Sequence, residues 1–234
     1  NWEGLGNWTS SNQGIKSLAE SKQAVIDAKE AGKTVQLDVE MREAEEKFGP
    51  LFESFAKRDI KDLATDEQAL EIGQRLFSQN CAQCHGSDAR GYQGFPDLTD
   101  NDWLYGGSPA QIKETLMNGR IAQMPPWGDA LGEQGVKEMT AFVLSLSGRK
   151  VHQKDAKACE AKFAMCSACH GADGKGSLAH NLPFGAPNLT DNVWLYGGSQ
   201  RAVEETLVKG RAGVMPAWKD ILGEDKVHII SAYV

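Results

Sequence analysis

The sequence predicts an all-α protein: two tandem small helical domains of one plan, preceded by a helical N-terminal segment. Three observations carry this. Apolar residues recur at helical spacing in short runs. A block of matching residues returns at a constant offset of 91 positions through the second half of the chain. Each copy also holds one Cys-x-x-Cys-His, at Cys81–His85 and Cys166–His170. The expected boundaries are 1–65 for the N-terminal connector, 66–150 for the first domain and 151–234 for the second.

Taken in order, Ile15–Ala31 is polar with a thin apolar stripe, and Val39–Lys57 carries Glu40, Glu43, Glu45 and Glu46. These read as surface helices that pack on the later domains through Phe48, Leu51, Phe52 and Phe55. From Asp66 to Gln79, Ala69, Leu70, Ile72, Gly73, Leu76 and Phe77 cluster at helical spacing, with Thr65 able to cap. That helix delivers Cys81, as Lys157–Met165 delivers Cys166. Ser108-Pro109 opens a helix through Leu116 with Pro at its first position, and Ser199–Val208 is its twin. Glu133–Leu146 and Glu224–Val234 are the closing helices. The link at 147–157 is short and charged, so the two centres are expected close together.

The Cys-x-x-Cys-His spacing is that of covalent haem c attachment. Two thiols three positions apart can each add to one vinyl group of the same porphyrin, and the next residue lies beneath the iron as its proximal ligand. Cys81, Cys84, Cys166 and Cys169 are the attachment residues, and His85 and His170 the ligands. A zinc site would require further Cys or His at matching spacing, and a thioredoxin-like pair a βαβ context; neither is present. Cys159 has no counterpart in the first half and reads as a free, helix-borne thiol.

The repeat extends the reading to the second axial ligand. Pro96–Asn101 matches Pro187–Asn192, Trp103–Ser108 matches Trp194–Ser199, Gly119-Arg120 matches Gly210-Arg211, and Met124-Pro125 matches Met215-Pro216. Thioether sulfur suits reduced iron and raises its potential, and the following Pro stiffens the loop that presents it. Met124 and Met215 are therefore the distal candidates, one for each domain, with the loop residue His180 competing in the second. Met41, Met117, Met139 and Met165 lack such pairing and read as packing residues. Arg120 and Arg211 precede the methionines by four residues. Two readings stay open for them, a partner for a haem propionate or a solvated side chain. Trp103, Trp194 and Tyr105 read as pocket wall, with polar tips able to reach a propionate or a backbone group.

Helix, attachment motif, loop, helix, Met loop, helix is the class I cytochrome c plan, with two covalently attached haem c groups as the expected cofactors. Each domain is only about 80 residues, a size at which a bound group is needed to complete the core. The chain of 234 residues has a net charge of −7 and a pI near 5.3. That balance argues against nucleic acid as a partner and mildly favours a basic protein. Mean hydropathy is −0.43, and the longest apolar stretches, such as Ala141–Leu146, fall far short of the roughly 20 residues of a membrane span. The start at Asn1 without Met suggests removal of an upstream segment, and the stop at Val234 a shortened closing helix.

Further blocks carry a resemblance: Gly4–Ser10, Lys47–Phe52, Gly73–Phe77, both Trp-Leu-Tyr-Gly-Gly runs, Leu144–Lys150 and Ile221–His228. Together they resemble the dihaem subunit of cbb3-type cytochrome c oxidases, often called CcoP or FixP. The resemblance implies a relay of electrons from a donor cytochrome c to the catalytic subunit of a terminal oxidase, with that subunit and the monohaem subunit as partners. It implies a place at the periplasmic face of the bacterial inner membrane, anchored in full length by a helix absent from this chain. It also implies an electron-transfer subunit that is not catalytic by itself. The stretch Gln13–Val39 is longer than the family leads one to expect. A free dihaem shuttle cytochrome and a dihaem cytochrome c peroxidase are the alternatives. The second needs an open iron position, against which the parallel Met124 and Met215 argue.

Overall fold

The computed structural model describes residues 36–234 continuously, together with Gln23, Ile26, Asp27, Glu30, Ala31 and Gly32. The Gly4–Ser10 block lies outside the described residues, as does most of the helix expected over Ile15–Ala31; Gln23, Ile26, Asp27 and Glu30 are helical. The chain forms two compact units, 1–53 and 54–234, and helix α1, Gln36–Ala56, includes the boundary. Phe48 is exposed, with Lys47 over its ring, whereas Phe55 is buried in the second unit. The division therefore falls earlier than the expected residue 65.

The second unit is helical apart from one two-stranded ribbon. Its first elements are α2, Ile60–Leu63, α3, Glu67–Asn80, α4, Ala82–His85, and α5, Pro109–Asn118. Asp66 caps α3, its carboxylate accepting from the Ala69 amide at 3.0 Å. Thr65, the expected cap, instead donates its hydroxyl to the Asp62 carbonyl. Ser108 and Gln111 form a capping box on α5, with Pro109 in the first turn, where its missing N–H costs nothing. Strand β1, Arg120–Met124, follows, then α6, Gly128–Leu146, kinked at Gly132 with φ +67°.

The second repeat gives α7, Gln153–Cys159, a 3-10 turn at Glu160–Phe163 and α8, Ala164–His170. The expected single helix into Cys166 is thus broken into three segments. After them come α9, Gly176–Ala179, α10, Gln200–Lys209, β2, Arg211–Met215, α11, Lys219–Leu222, and α12, Glu224–Tyr233.

The repeats are not the packing units. Strands β1 and β2 pair antiparallel, with Arg120 opposite Met215 and Met124 opposite Arg211, and beyond this ribbon each repeat continues into the other's core. One core joins Val136, Met139, Val143 and Leu144 of α6 to Cys159, Phe163, Leu189, Val203 and Leu207 of the second repeat. The other joins Phe77, Cys81, Ile112 and Leu116 of the first repeat to Val227 and Ile230 of α12. The exchange is reciprocal at the backbone: Trp127 N–H donates to Leu207 at 2.7 Å, and Trp218 N–H to Leu116 at 2.9 Å. The boundary expected at residue 150 therefore does not separate two bodies. One core takes 120–210 in a single run, and the other takes the first repeat up to Asn118 and closes with α12.

Gly119 and Gly210 permit the crossing. Both have positive φ, +68° and +70°, with ψ near 180°, a region open essentially to Gly alone. A Cβ on Gly119 would lie 2.5 Å from the Met215 carbonyl oxygen, and one on Gly210 would lie 2.8 Å from the Pro126 nitrogen. Each glycine is the seat of the other repeat's methionine arm.

Aromatic pairs close both cores across the repeats, Phe77 with Tyr233 at 5.5 Å and Phe142 with Phe163 at 5.2 Å. Phe77 is 1% exposed, so Phe77→Ala is expected to cost about 3–5 kcal/mol through lost burial and the cavity left behind. Denaturant unfolding of the haem-loaded protein measures it. His228, also buried, fastens α12 to the segment between α1 and α2, ahead of the first repeat, by donating from Nε2 to the Arg58 carbonyl at 2.9 Å.

Candidate haem sites

Both attachment motifs end a short helix at a glycine with positive φ, Gly86 and Gly171. This sharp exit turns each histidine inward, and His85 and His170 are both 8% exposed. Each ring donates its Nδ1–H to a carbonyl, His85 to Pro96 and His170 to Pro187, both at 3.0 Å. Only the protonated nitrogen can donate to a carbonyl, so these bonds fix the tautomer and leave Nε2 with its lone pair for a metal, as ligating histidines require. Burial lowers the His170 pKa, with the Pro187 bond opposing it, which favours the neutral ligand form.

Among the described residues no disulfide joins any of the five cysteines. Burial pushes Cys81 and Cys166 up to about 11, consistent with apolar surroundings suited to a porphyrin edge. Cys159 is fully buried, its thiol 3.7 Å from the Gly135 carbonyl, and burial raises its pKa. It ends α7 and belongs to the core against which Cys166 and Met124 pack.

The methionines go to opposite cores. Met124 packs alongside Cys166 and Trp194 against one core, whereas Met215 packs alongside Trp103 against the core that includes Cys81. The sequence pairing, Met124 with the first motif and Met215 with the second, is thus exchanged by the crossing. His180 holds Asp173 at 2.8 Å, a bond that lowers the Asp173 pKa.

Arg120 and Arg211 occupy equivalent half-buried places. Their Nε–H groups donate to Thr115 and Thr206, both at 2.9 Å, and their guanidinium groups sit 4.8 Å from the Tyr105 ring and 4.5 Å from the Tyr196 ring. They hold their own repeat's wall while the next four residues leave for the other core. Burial raises the Tyr105 pKa, with Arg120 opposing it.

The residues present fit a haem. Buried polar atoms are normally paired, yet Tyr105 Oη and Trp194 Nε1 are buried without a partner. Trp194 lines a cavity with Leu195 and Tyr196, Tyr105 lies under the Arg120 guanidinium, and both are donors that a propionate would satisfy. With the inward imidazoles, paired thiols and apolar cores, this defines a c-type cytochrome. Sequence reasoning missed Arg149, whose guanidinium lies 5.2 Å from the Trp194 ring. Lacking a partner in the repeat, it gave no periodic signal.

The chain matches the family described as cytochrome c oxidase, cbb3-type, subunit III, over residues 68–143 and 155–234; it belongs to that family. It is 46% identical over 202 residues to the cbb3-type cytochrome c oxidase subunit CcoP of Rubrivivax gelatinosus, covering 86% of this chain and 65% of that one. To subunit FixP of Rhizobium meliloti it is 37% identical over 213 residues, covering 85% of this chain and 72% of the relative. To subunit CcoP of Cereibacter sphaeroides it is 38% identical over 192 residues, covering 75% and 65%. The chain thus spans about two thirds of the length of these relatives. Among the described residues no helix is long and apolar enough to cross a membrane.

Proposed function

We propose that this chain is the electron-relay part of a cbb3-type terminal oxidase, carrying one haem c on Cys81 and Cys84 and a second on Cys166 and Cys169. It takes electrons from a donor cytochrome c and passes them to the catalytic subunit, on the periplasmic side of the membrane to which the full-length subunit is anchored. The observation that carries the reading is the pair of buried histidines, each with Nε2 left free and each closing a motif whose first cysteine shares a core with a methionine.

Because the arms cross, the residues that would hold one iron are His85 and Met215, and those that would hold the other are His170 and Met124. Haem iron supplies the one-electron couple; the protein's own residues set its surroundings. The Pro96 and Pro187 carbonyls orient the imidazoles. With haem bound, the two thioethers would supply the remaining iron ligands and leave no open position for small molecules, which favours a relay over a peroxidase. Tyr105 and Trp194 would offer an O–H and an N–H donor, respectively, to the propionates.

Reconstitution tests the function. Full-length subunit added to an oxidase core lacking it is expected to restore electron flow from reduced cytochrome c to oxygen. A core that turns over equally fast without the subunit would overturn the relay. Mass spectrometry of tryptic peptides is expected to find one haem on each Cys-x-x-Cys-His.

A further inference from the structure

Arg149 lies in the connection between α6 and α7, just after Gly148, which takes φ +73°. Its amide donates to the Leu144 carbonyl at 3.3 Å, so the backbone is held against the end of α6. From there the side chain reaches into the second repeat. One guanidinium nitrogen donates to the Gly198 carbonyl, and the plane lies over the Trp194 ring. Gly198 completes the stack: a Cβ there would fall 2.6 Å from Arg149 Nη2 and 2.8 Å from Trp194 Cδ1. Only a residue without a side chain leaves room for both groups.

Trp194 packs, with Cys166 and Met124, against the core that includes Cys159 and Phe163, and its Nε1 is buried without a partner. The indole therefore has a cation over its ring and a buried donor left without a partner. Among the described residues no arginine stands over Trp103, the equivalent in the other core, although Gly107 lies against that indole in the same way, its Cβ position 2.5 Å from Trp103 Nε1. The difference follows from the crossing. The core formed by 120–210 contains the α6–α7 connection, and with it Arg149.

We propose that Arg149 is a positioning residue for the second haem site: it holds the Trp194 indole with Nε1–H aimed at a haem propionate and raises the potential of that haem relative to the first. The inference rests on the haem reading given above. A fixed cation near one iron favours its reduced state, because reduction adds negative charge. A propionate bonded by the indole N–H is also less free to stabilise the oxidised state. Arg149 is exposed, so its Coulombic share is screened by salt, whereas the indole bond is not.

The test is redox titration of the full haem-loaded chain, with haem-substituent NMR assigning each potential. In Arg149→Ala, the potential of the haem on Cys166 and Cys169 is expected to fall while the other stays fixed. Arg149→Lys keeps the charge but not the fork over the indole, and is expected to fall less. Gly198→Ala keeps the charge and displaces the stack, so it is expected to lower the same potential and to shift the Trp194 indole N–H resonance. Unmoved potentials in both Arg149→Ala and Gly198→Ala, or equal shifts at the two haems, would overturn the role of Arg149. Haem missing from the Cys166–Cys169 peptide of the wild-type chain would overturn the underlying site instead.

Discussion

In Met215→Ala, the haem on Cys81 and Cys84 is expected to become high-spin and to bind carbon monoxide when reduced, while the haem on Cys166 and Cys169 stays low-spin and closed. Met215 lies 130 residues from His85 in the chain yet packs in the same core as Cys81. A pairing within each repeat predicts the reverse. Met124→Ala is expected to open the other haem. In each variant half of the total haem binds carbon monoxide, and both haems remain covalently attached because the thioether bonds do not involve methionine. The opened haem should also fall in potential, since thioether ligation favours the reduced iron. The hyperfine-shifted resonances of the cysteine-bound substituents show which haem has opened. If either variant keeps two low-spin haems, the lost methionine is not a ligand, and a histidine such as His180 becomes the candidate.

Gly210→Ala is expected to destabilise the haem-loaded protein by about 3 kcal/mol and to weaken methionine ligation at the haem on Cys166 and Cys169. Alanine at φ +70° and ψ −174° is strained, and this costs more than the usual gain from stiffening the unfolded chain. Its Cβ would also press on the backbone at Pro126, 2.8 Å away. Overpacking against backbone costs typically about 1–3 kcal/mol because no side chain can rotate aside. The atoms that must yield belong to the arm that carries Met124, so the disturbance reaches an axial ligand as well as the fold. Urea unfolding followed through the absorbance of the ligated haem measures both. An unchanged midpoint would show that the crossing does not depend on this seat.

The parts of this molecule that are local were legible in the sequence. Cys81–His85 and Cys166–His170 specify attachment within five residues each, and the helices over Glu67–Asn80 and Pro109–Asn118 follow from apolar spacing and caps. The matching Met-Pro pairs nominated Met124 and Met215. What the repeat concealed was the partner of each. Two near-identical copies can close their cores internally or by exchange with the same side-chain chemistry. The choice is made at Gly119 and Gly210, whose backbone sends each arm across. The period-2 burial of Arg120–Met124 and Arg211–Met215 is that of strands, but it belongs to the fold, since the residues there do not alternate between apolar and polar. Five residues amid helices are too few to read as a ribbon, and pairing between the two was not suggested by position. The N-cap at Asp66 in place of Thr65 is a shift of one residue. Arg149 was illegible for the opposite reason, since its place depends on the crossing and no repeat partner marked it.

The crossing also changes how the two centres are expected to behave. If each repeat held its own iron, the link at 147–157 alone would tie them together. With the arms exchanged, the ribbon pairs the backbone of Met124 with Arg211 and that of Met215 with Arg120. Unfolding of one core then withdraws a ligand from the other, and the two haems should lose methionine ligation in one transition.

The most direct measurement is a nuclear Overhauser spectrum of the reduced, diamagnetic wild-type protein with both methionines assigned. The ε-methyl of Met215 is expected to contact protons of the haem whose thioether bonds run to Cys81 and Cys84, and that of Met124 the haem bonded to Cys166 and Cys169. Contacts from Met124 to the Cys81–Cys84 haem, and from Met215 to the other, would contradict the crossed arrangement.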